Sequence, residues 1–270
     1  LPILHAHEVV ITHGNGPQVG FLALQSASQE PTMPLDVLGA ESEGMIGYVL
    51  AQELMSALPE RRVATLLTQT LVDAHDPTFG SPSKPIGPLY REEVAKELAS
   101  ERGWTVRPDG AGFRRVVASP APLGVLEESV IRLLMGTGVI VVCGGGGGVP
   151  VIREGTRYSG VEAVVDKDRT SAVLGEALDM DALLILTDVD GVYADWGTAQ
   201  ARHLPSIASD RFDPSAFAAG SMRPKLESAL AFASDDRRFA AIGRLGDAVG
   251  LLHGTAGTRI SGRDRSPRPH

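Results

Sequence analysis

The sequence has a single cysteine, Cys143, among 270 residues. One thiol cannot close an intrachain disulfide, and a cysteine-based zinc site needs more than one. Long apolar runs are missing as well: none approaches the about 20 residues that span a bilayer. The sequence shows no charged start followed by an apolar stretch of the kind that directs secretion, so a cytoplasmic location without membrane contact is expected. Positive charge is in deficit, with 25 Lys plus Arg against 33 Asp plus Glu and a net charge of −8. That balance argues against non-specific nucleic-acid binding. An anionic ligand must therefore be held by local cations and backbone N–H groups. Lysine is scarce, at 4 residues (Lys84, Lys96, Lys167, Lys225) beside 21 arginines, and Asn15 is the lone asparagine. Such scarcity makes each of these residues a candidate for a specific chemical role.

The totals are those of a folded protein. Apolar residues make up 43% and charged residues 21%, which excludes wholesale disorder. A chain of this length can bury roughly three-quarters of its unfolded surface. Glycine is abundant, at 31 residues.

Hydrophobic periodicity predicts alternating strands and helices. Val9 to Thr12 reads as a strand, His13 to Pro17 as a turn, and Gln18 to Ser28 as a helix. A longer helix is predicted from Asp36 to Ala57 and a strand from Val63 to Leu67. Between about Asp73 and Pro122 seven prolines, a charged helix (Arg91 to Arg102) and two short strands (Trp104 to Arg107, Phe113 to Ala118) suggest an inserted subdomain. Alternation then resumes. Helices are expected at Leu126–Met135, Asp166–Leu178, Pro224–Ala233 and Leu245–Leu252. Strands are expected at Val139–Cys143, Ala182–Thr187, Ala240–Ile242 and Thr258–Ile260. This order implies an α/β fold with a mainly parallel sheet covered on both faces. Gly262 to His270 reads as a basic, disordered tail, leaving one domain over residues 1–260 with the insertion at about 73–122.

Six segments carry chemistry. Gly14, Asn15 and Gly16 follow a strand and open a helix, where ligands of open α/β sheets bind and where free N–H groups face an anion. An ordinary strand-to-helix turn would read the same way. No Walker loop and no dinucleotide fingerprint occurs. Gly144 to Gly148 follow a core strand directly. Five glycines are costly to order, so Gly144, Gly145 and Gly146 point to close approach of a phosphate-rich ligand rather than to a linker. Asp166-Lys167-Asp168 starts a helix, where an aspartate can orient the ammonium or merely cap the helix. Thr187, Asp188, Val189 and Tyr193 lie in a loop at another strand end, with groups that suit a base and ribose. Lys84 sits in the inserted region in Lys84-Pro85-Ile86-Gly87-Pro88. Lys225 follows Met222-Arg223-Pro224, with Pro224 expected at the first helical position. Three of four lysines thus lie in glycine, proline or aspartate loops. Compact ammonium groups suit phosphoryl transfer, where positioning and neutralisation do most of the work.

Taken together, His13 to Gly20, Asp36 to Tyr48, Lys84 to Pro88, the glycine run and Asp166 to Asp168 resemble the carbamate kinases of the amino acid kinase family. The resemblance runs from about Val9 to Ile260. It implies a three-layer αβα sandwich with a mainly parallel open sheet and a small protruding subdomain, in a homodimer. It also implies reversible phosphoryl transfer between ATP and carbamate, giving ADP and carbamoyl phosphate, with Mg²⁺ on the nucleotide and a place in arginine breakdown. By the same resemblance Gly14, Asn15 and Gly16 match the loop at the carbamate and the transferred phosphate. Lys84 matches the subdomain lysine, and Lys167 and Lys225 match the lysines that neutralise phosphates. Asp168 matches the aspartate that organises them, and Thr187 to Tyr193, with Met222, the nucleotide site. No general base is required, since carbamate is already an anionic oxygen nucleophile. The family's Ser-Met-Gly-Pro-Lys pattern carries Arg223 in place of its glycine here, which implies either strain at a positive φ or an added phosphate-site charge. The alternatives are a nucleotide- or carbamoyl-phosphate-binding relative with impaired turnover, or a kinase for another small carboxylate.

Overall fold

A computed structural model describes residues 2–27, 31–217 and 222–262. Two compact units divide the chain, Ile3–Thr170 and Ser171–His270. In the first, three parallel strands lie side by side: Val10–Ile11, Ile140–Val142 and Val63–Thr65, with Ile140–Val142 in the middle. Ile140, Val141 and Val142 are completely buried, as expected for a β-branched run covered on both faces. Ile11 and Thr65 both pair with Val142, so the three strands end in register and their following loops leave from one edge. The helix Leu35–Ala57 crosses beside them, close enough at Gly47 that a Cβ there would overlap the methyl group of Thr65.

A second sheet orders the strands Arg157–Gly160, Val149–Glu154, Gln69–Val72 and Pro122–Val125. Its inner pair is parallel and its outer pairs antiparallel. Gln69–Val72 and Pro122–Val125 pair at the two ends of the proline-rich segment. That segment folds as a separate antiparallel sheet, ordered Lys84–Tyr90, Gly112–Val117, Thr105–Asp109, with the helix Glu92–Arg102 against it. The helix ends at Gly103, whose φ of 66° provides a left-handed cap.

The second unit has a sheet ordered Ala182–Thr187, Phe239–Arg244, Thr258–Ser261, Ser206–Ala208. The first and last pairs are parallel and the middle pair antiparallel. Its core gathers Ile185, Leu226, Phe232, Ile242 and Ile260, supplied by strands and by the helix Met222–Phe232. The helix Lys167–Ala177 runs across the boundary between the units.

The α/β expectation holds, and several elements differ in detail. The first strand has two residues rather than four. Lys84–Tyr90 is a strand although it holds Pro85, Pro88 and Gly87. It lies at a sheet edge, where a residue without an N–H is tolerated. Val149–Glu154 and Arg157–Gly160 form a hairpin that the alternation pattern did not indicate. The expected helix from Leu245 begins instead as a short 3₁₀ turn, Leu245–Asp247, and continues as Ala248–His253. Pro224 occupies the third helical position instead of the first. It is tolerated there because the first four N–H groups of a helix have no partner within it. Ser28 and residues 263–270 lie outside the described residues. No described helix is long and apolar enough to cross a membrane.

Candidate active site

The loops after Val10–Ile11 and Ile140–Val142 leave adjacent parallel strands at their carboxyl edge, the usual ligand edge of such sheets. They are tied directly: the Gly146 N–H donates to the His13 carbonyl at 2.7 Å. Asn15 is buried, and its amide donates to the Ser42 hydroxyl at 2.8 Å. Ser42 in turn donates to the Gly39 carbonyl, also at 2.8 Å, so the helix Leu35–Ala57 sets the Asn15 rotamer. A Cβ on Gly146 would overlap the Asn15 amide.

The glycine run is held residue by residue. Gly144 donates to the Thr68 hydroxyl at 2.8 Å, and Gly145 to Glu43 Oε1 at 3.0 Å. The Gly147 carbonyl accepts from Thr70 at 2.7 Å and from Thr170 at 2.9 Å. Gly144, Gly146, Gly147 and Gly148 all have positive φ, between 62° and 98°. A linker would need none of this, so the run is a built loop. Glu43 is fully buried, and burial pushes its carboxyl up to about 7, against the hydrogen bonds from Thr68 and Gly145.

Cations reach this edge from two directions. Asp166 caps the helix Lys167–Ala177, accepting from the N–H groups of Asp168 at 3.0 Å and Arg169 at 3.4 Å. Its other oxygen accepts from Lys84 Nζ at 2.9 Å. Burial raises the Asp166 pKa. The Lys84 charge and the three hydrogen bonds outweigh burial and hold the carboxyl below the usual range. Lys167 Nζ lies 2.5 Å from Asp168 Oδ1. The aliphatic stem of Lys167 passes so close to Gly14 that a Cβ there would sit 3.6 Å from Cδ. Gly14, Asn15, Gly144 to Gly146, Lys84, Lys167 and Asp168 therefore meet in the first unit. Gly16 is the first residue of the helix Gly16–Ser26 and has open space around it.

Asp166, which the sequence places beside Lys167 in a chemical segment without assigning it a role in the site, belongs to this assembly, as do Ser42, Glu43, Thr68 and Thr70, which the sequence alone does not assign to the site. Ser42 and Glu43 fall within the Asp36–Tyr48 segment that carries the resemblance, but their roles and those of the threonines are not legible there, because their partners lie elsewhere in the chain.

Removing the Asp166 charge while keeping a cap acceptor isolates its effect on Lys84. Asp166→Asn is expected to lower kcat/KM for the phosphoryl transfer anticipated from the sequence roughly tenfold and the unfolding midpoint by only a few degrees, because one partly exposed ion pair is worth about 1 kcal/mol. Steady-state kinetics and thermal melting of the variant check both halves.

The remaining site candidates lie in the second unit. Thr187 ends the strand Ala182–Thr187 and donates to Asp188 at 3.0 Å. Val189 follows in the loop, half-buried. Tyr193 donates to Asp190 at 3.1 Å, and its ring meets Trp196 edge-on with centroids 5.2 Å apart. Met222 packs at the edge of this unit's core. Lys225 is the fourth residue of the helix Met222–Phe232 and is half-buried. Arg223 lies inside that helix, so the strain considered at this position does not arise. Its guanidinium donates to the carbonyls of Phe217, at 2.9 Å, and Ser215. The added charge thus braces the segment before the helix.

The sequence pattern of the amino acid kinase family matches residues 3–242. The carbamate kinase of Haemophilus influenzae is 48% identical over 259 residues, covering 94% of this chain and 84% of its own. That of Rhizobium meliloti is 45% identical over 266 residues, covering 96% and 82%. Among solved structures, the carbamate kinase from Giardia lamblia bound to AMP-PNP superposes with a TM-score of 0.87 at 40% identity, covering 95% of this chain and 85% of that one. With its paired loops, its anchored lysines and these relatives, the chain belongs to the amino acid kinase family, within its carbamate kinase branch.

Proposed function

We propose that the protein transfers a phosphoryl group between ATP and carbamate, giving ADP and carbamoyl phosphate. One observation carries this reading: two lysines from separate elements, Lys84 and Lys167, are each held by an aspartate of Asp166–Asp168 beside the Asn15 and Gly144–Gly146 loops. In the forward direction a carbamate oxygen forms the new bond to the γ-phosphorus. The bond from that phosphorus to the β–γ bridging oxygen breaks, and its electron pair leaves on ADP. No proton needs to move. The chain's task is to align the two oxygens and neutralise the charge on the transferred group. Asn15 supplies a fixed side-chain amide, the glycine loop, whose own N–H groups are bonded within the protein, holds that amide in place and leaves room for close approach, and Lys167 and Lys84 supply charge. We assign Thr187, Asp188, Val189, Tyr193 and Met222 to the nucleotide, and Lys225 to its phosphates. The 73–122 segment acts in this reading as a protruding subdomain that delivers Lys84.

Mg²⁺ supplies further neutralisation when bound. Among the described residues no group of three His, Cys, Asp or Glu side chains could cage a metal. The ion fits as a passenger on the nucleotide phosphates, as Mg²⁺ commonly binds.

The test is ATP formation from ADP, Mg²⁺ and carbamoyl phosphate. Sustained ATP production supports the assignment. Tight nucleotide binding without ATP production overturns it in favour of a binding protein.

A homodimer is part of the same reading. Met45, Tyr48, Val49 and Met55 are large apolar side chains exposed along one helix, Leu35–Ala57. Tyr48→Glu is expected to convert a dimer to a monomer in sedimentation velocity. A wild-type monomer at micromolar concentration would remove the dimer from the reading.

A further inference from the structure

The sheet of the proline-rich segment meets the rest of its unit along a seam made by residues 162–166, which lead into the helix Lys167–Ala177. Contacts follow one another along it. Glu162 Oε2 accepts from Arg115 Nη2 at 2.9 Å. The Val164 N–H donates to the Ala118 carbonyl at 3.0 Å, and Ala118 and Ala163, both buried, form a parallel bridge. Asp166 Oδ2 accepts from Lys84 Nζ at 2.9 Å. Only the last of these has been given a task in the transfer chemistry.

Arg115 is tied to Lys84 by the sheet itself. It lies on the middle strand, Gly112–Val117, opposite Ile86, while Lys84 stands opposite Val117. A shift of Arg115 is therefore carried to Lys84 along one ladder. The guanidinium also packs on Trp104, with Cζ 4.6 Å from the ring centre, and only 17% of the side chain is exposed. Glu162 has a second attachment. Its Oε1 accepts from the Leu35 N–H at 2.7 Å. Leu35 begins the helix Leu35–Ala57, and Pro34 before it offers no side-chain cap. The carboxylate takes that role, satisfying an N–H that has no partner within the helix and placing negative charge at its N-terminus. The same helix carries Ser42, which holds the Asn15 amide. One carboxylate thus joins the strands that carry Lys84 to the helix that fixes Asn15.

Resting on the function proposed above, we propose that Glu162 and Arg115 are positioning residues, whose ion pair sets where Lys84 stands relative to Asn15 and the transferred phosphoryl group. Both Glu162 oxygens are occupied within the protein, so it acts through its neighbours and not on substrate. The fold does not depend on the pair. The base of the segment is closed by Gln69–Val72 pairing with Pro122–Val125. The Glu162 side chain is 56% exposed, where an ion pair adds little to stability. The effect falls on alignment instead, and a misplacement of about 1 Å at a transfer site costs on the order of 10²-fold.

The experiment uses Arg115→Met, which keeps an unbranched stem without the charge, Glu162→Gln, whose amide keeps an acceptor for Leu35, and the double variant. In each single variant kcat for ATP formation should fall about tenfold, less than the full cost of misplacement because the Ala118 and Asp166 contacts remain. KM for ADP should not change, since the residues assigned to the nucleotide lie in the other unit. The double variant should be no slower than the slower single one, the mark of two residues acting through one contact. In protein labelled at lysine, the Lys84 Cε resonance is one of 4 and is assigned with Lys84→Arg. It should move in both single variants, while that of Lys96, paired locally with Glu92, stays in place. Wild-type kcat in both single variants, losses that multiply in the double variant, or an unmoved Lys84 resonance overturns the proposal. A lowered melting temperature with kcat retained assigns the pair to stability and overturns it as well. If wild type makes no ATP, the function assignment fails by itself. The Lys84 resonance then decides the seam: movement in both single variants sustains the link from Glu162 and Arg115 to Lys84, and an unmoved resonance refutes it.

Discussion

Replacing Lys167 by alanine should lower kcat for ATP formation by about 10³-fold, some 4 kcal/mol of transition-state stabilisation, while leaving the fold intact. The magnitude follows from position. The ammonium is held by Asp168 at 2.5 Å, and its stem lies along Gly14, so it is aimed before substrate arrives. A preset charge costs no reorganisation during transfer, and single groups of this kind commonly contribute two to three orders of magnitude. Lys167→Arg should recover little, since a planar guanidinium cannot occupy the space of a compact ammonium. Lys96 provides the internal contrast. It pairs with Glu92 at 2.8 Å one helical turn away, and both side chains are mostly exposed. Lys96→Ala should leave kcat unchanged and cost at most about 0.5 kcal/mol of stability. Steady-state kinetics with circular dichroism on the three variants gives the answer. Equal activity in Lys167→Ala and Lys96→Ala would refute the electrostatic account.

That contrast was legible in the sequence, because Lys96 sits in a charged helical repeat and Lys167 between two aspartates at a helix start. Strands with plain β-branched patterns were legible too: Ala182–Thr187 lies where the pattern placed it. What escaped was organised by long-range hydrogen bonds or by edge positions. Lys84–Tyr90 looks like a loop because its prolines break the pattern, and only its place at a sheet edge makes them harmless. Val10–Ile11 is shorter than its β-branched pattern suggests, pairing only with Val141 and Val142. Glu43 reads as one more acid on a helix. Its neighbours in space, Thr68 and Gly145, are 25 and 102 residues away, beyond any local pattern. The glycine run was legible as a built loop but not the partners that build it. Thr70 and Thr170 both donate to the Gly147 carbonyl, an arrangement that spacing along the chain does not encode.

The loop itself sets the second large expected effect. Gly146→Ala adds one methyl group, yet should lower kcat/KM for carbamoyl phosphate by about 10³-fold. Two costs coincide at this position. Its φ of +66° disfavours any L side chain by about 1–2 kcal/mol. The new Cβ would also overlap the Asn15 amide, which is buried and bonded to Ser42 and so cannot swing away freely. Either Asn15 leaves Ser42 or the Gly146 N–H leaves the His13 carbonyl, and both moves displace the Asn15 amide assigned to the transferred group. A displacement of about 1 Å at such a site costs on the order of 10²-fold, and a lost donor a comparable factor. The same chemical change elsewhere should do the opposite. Gly44 lies within the helix Leu35–Ala57, and a Cβ there meets nothing within 4 Å. Gly44→Ala should gain about 0.5–1 kcal/mol in urea unfolding with activity retained. If Gly146→Ala kept wild-type kinetics, the contact between the two loops would be a packing detail, and the phosphoryl group would have to be held elsewhere.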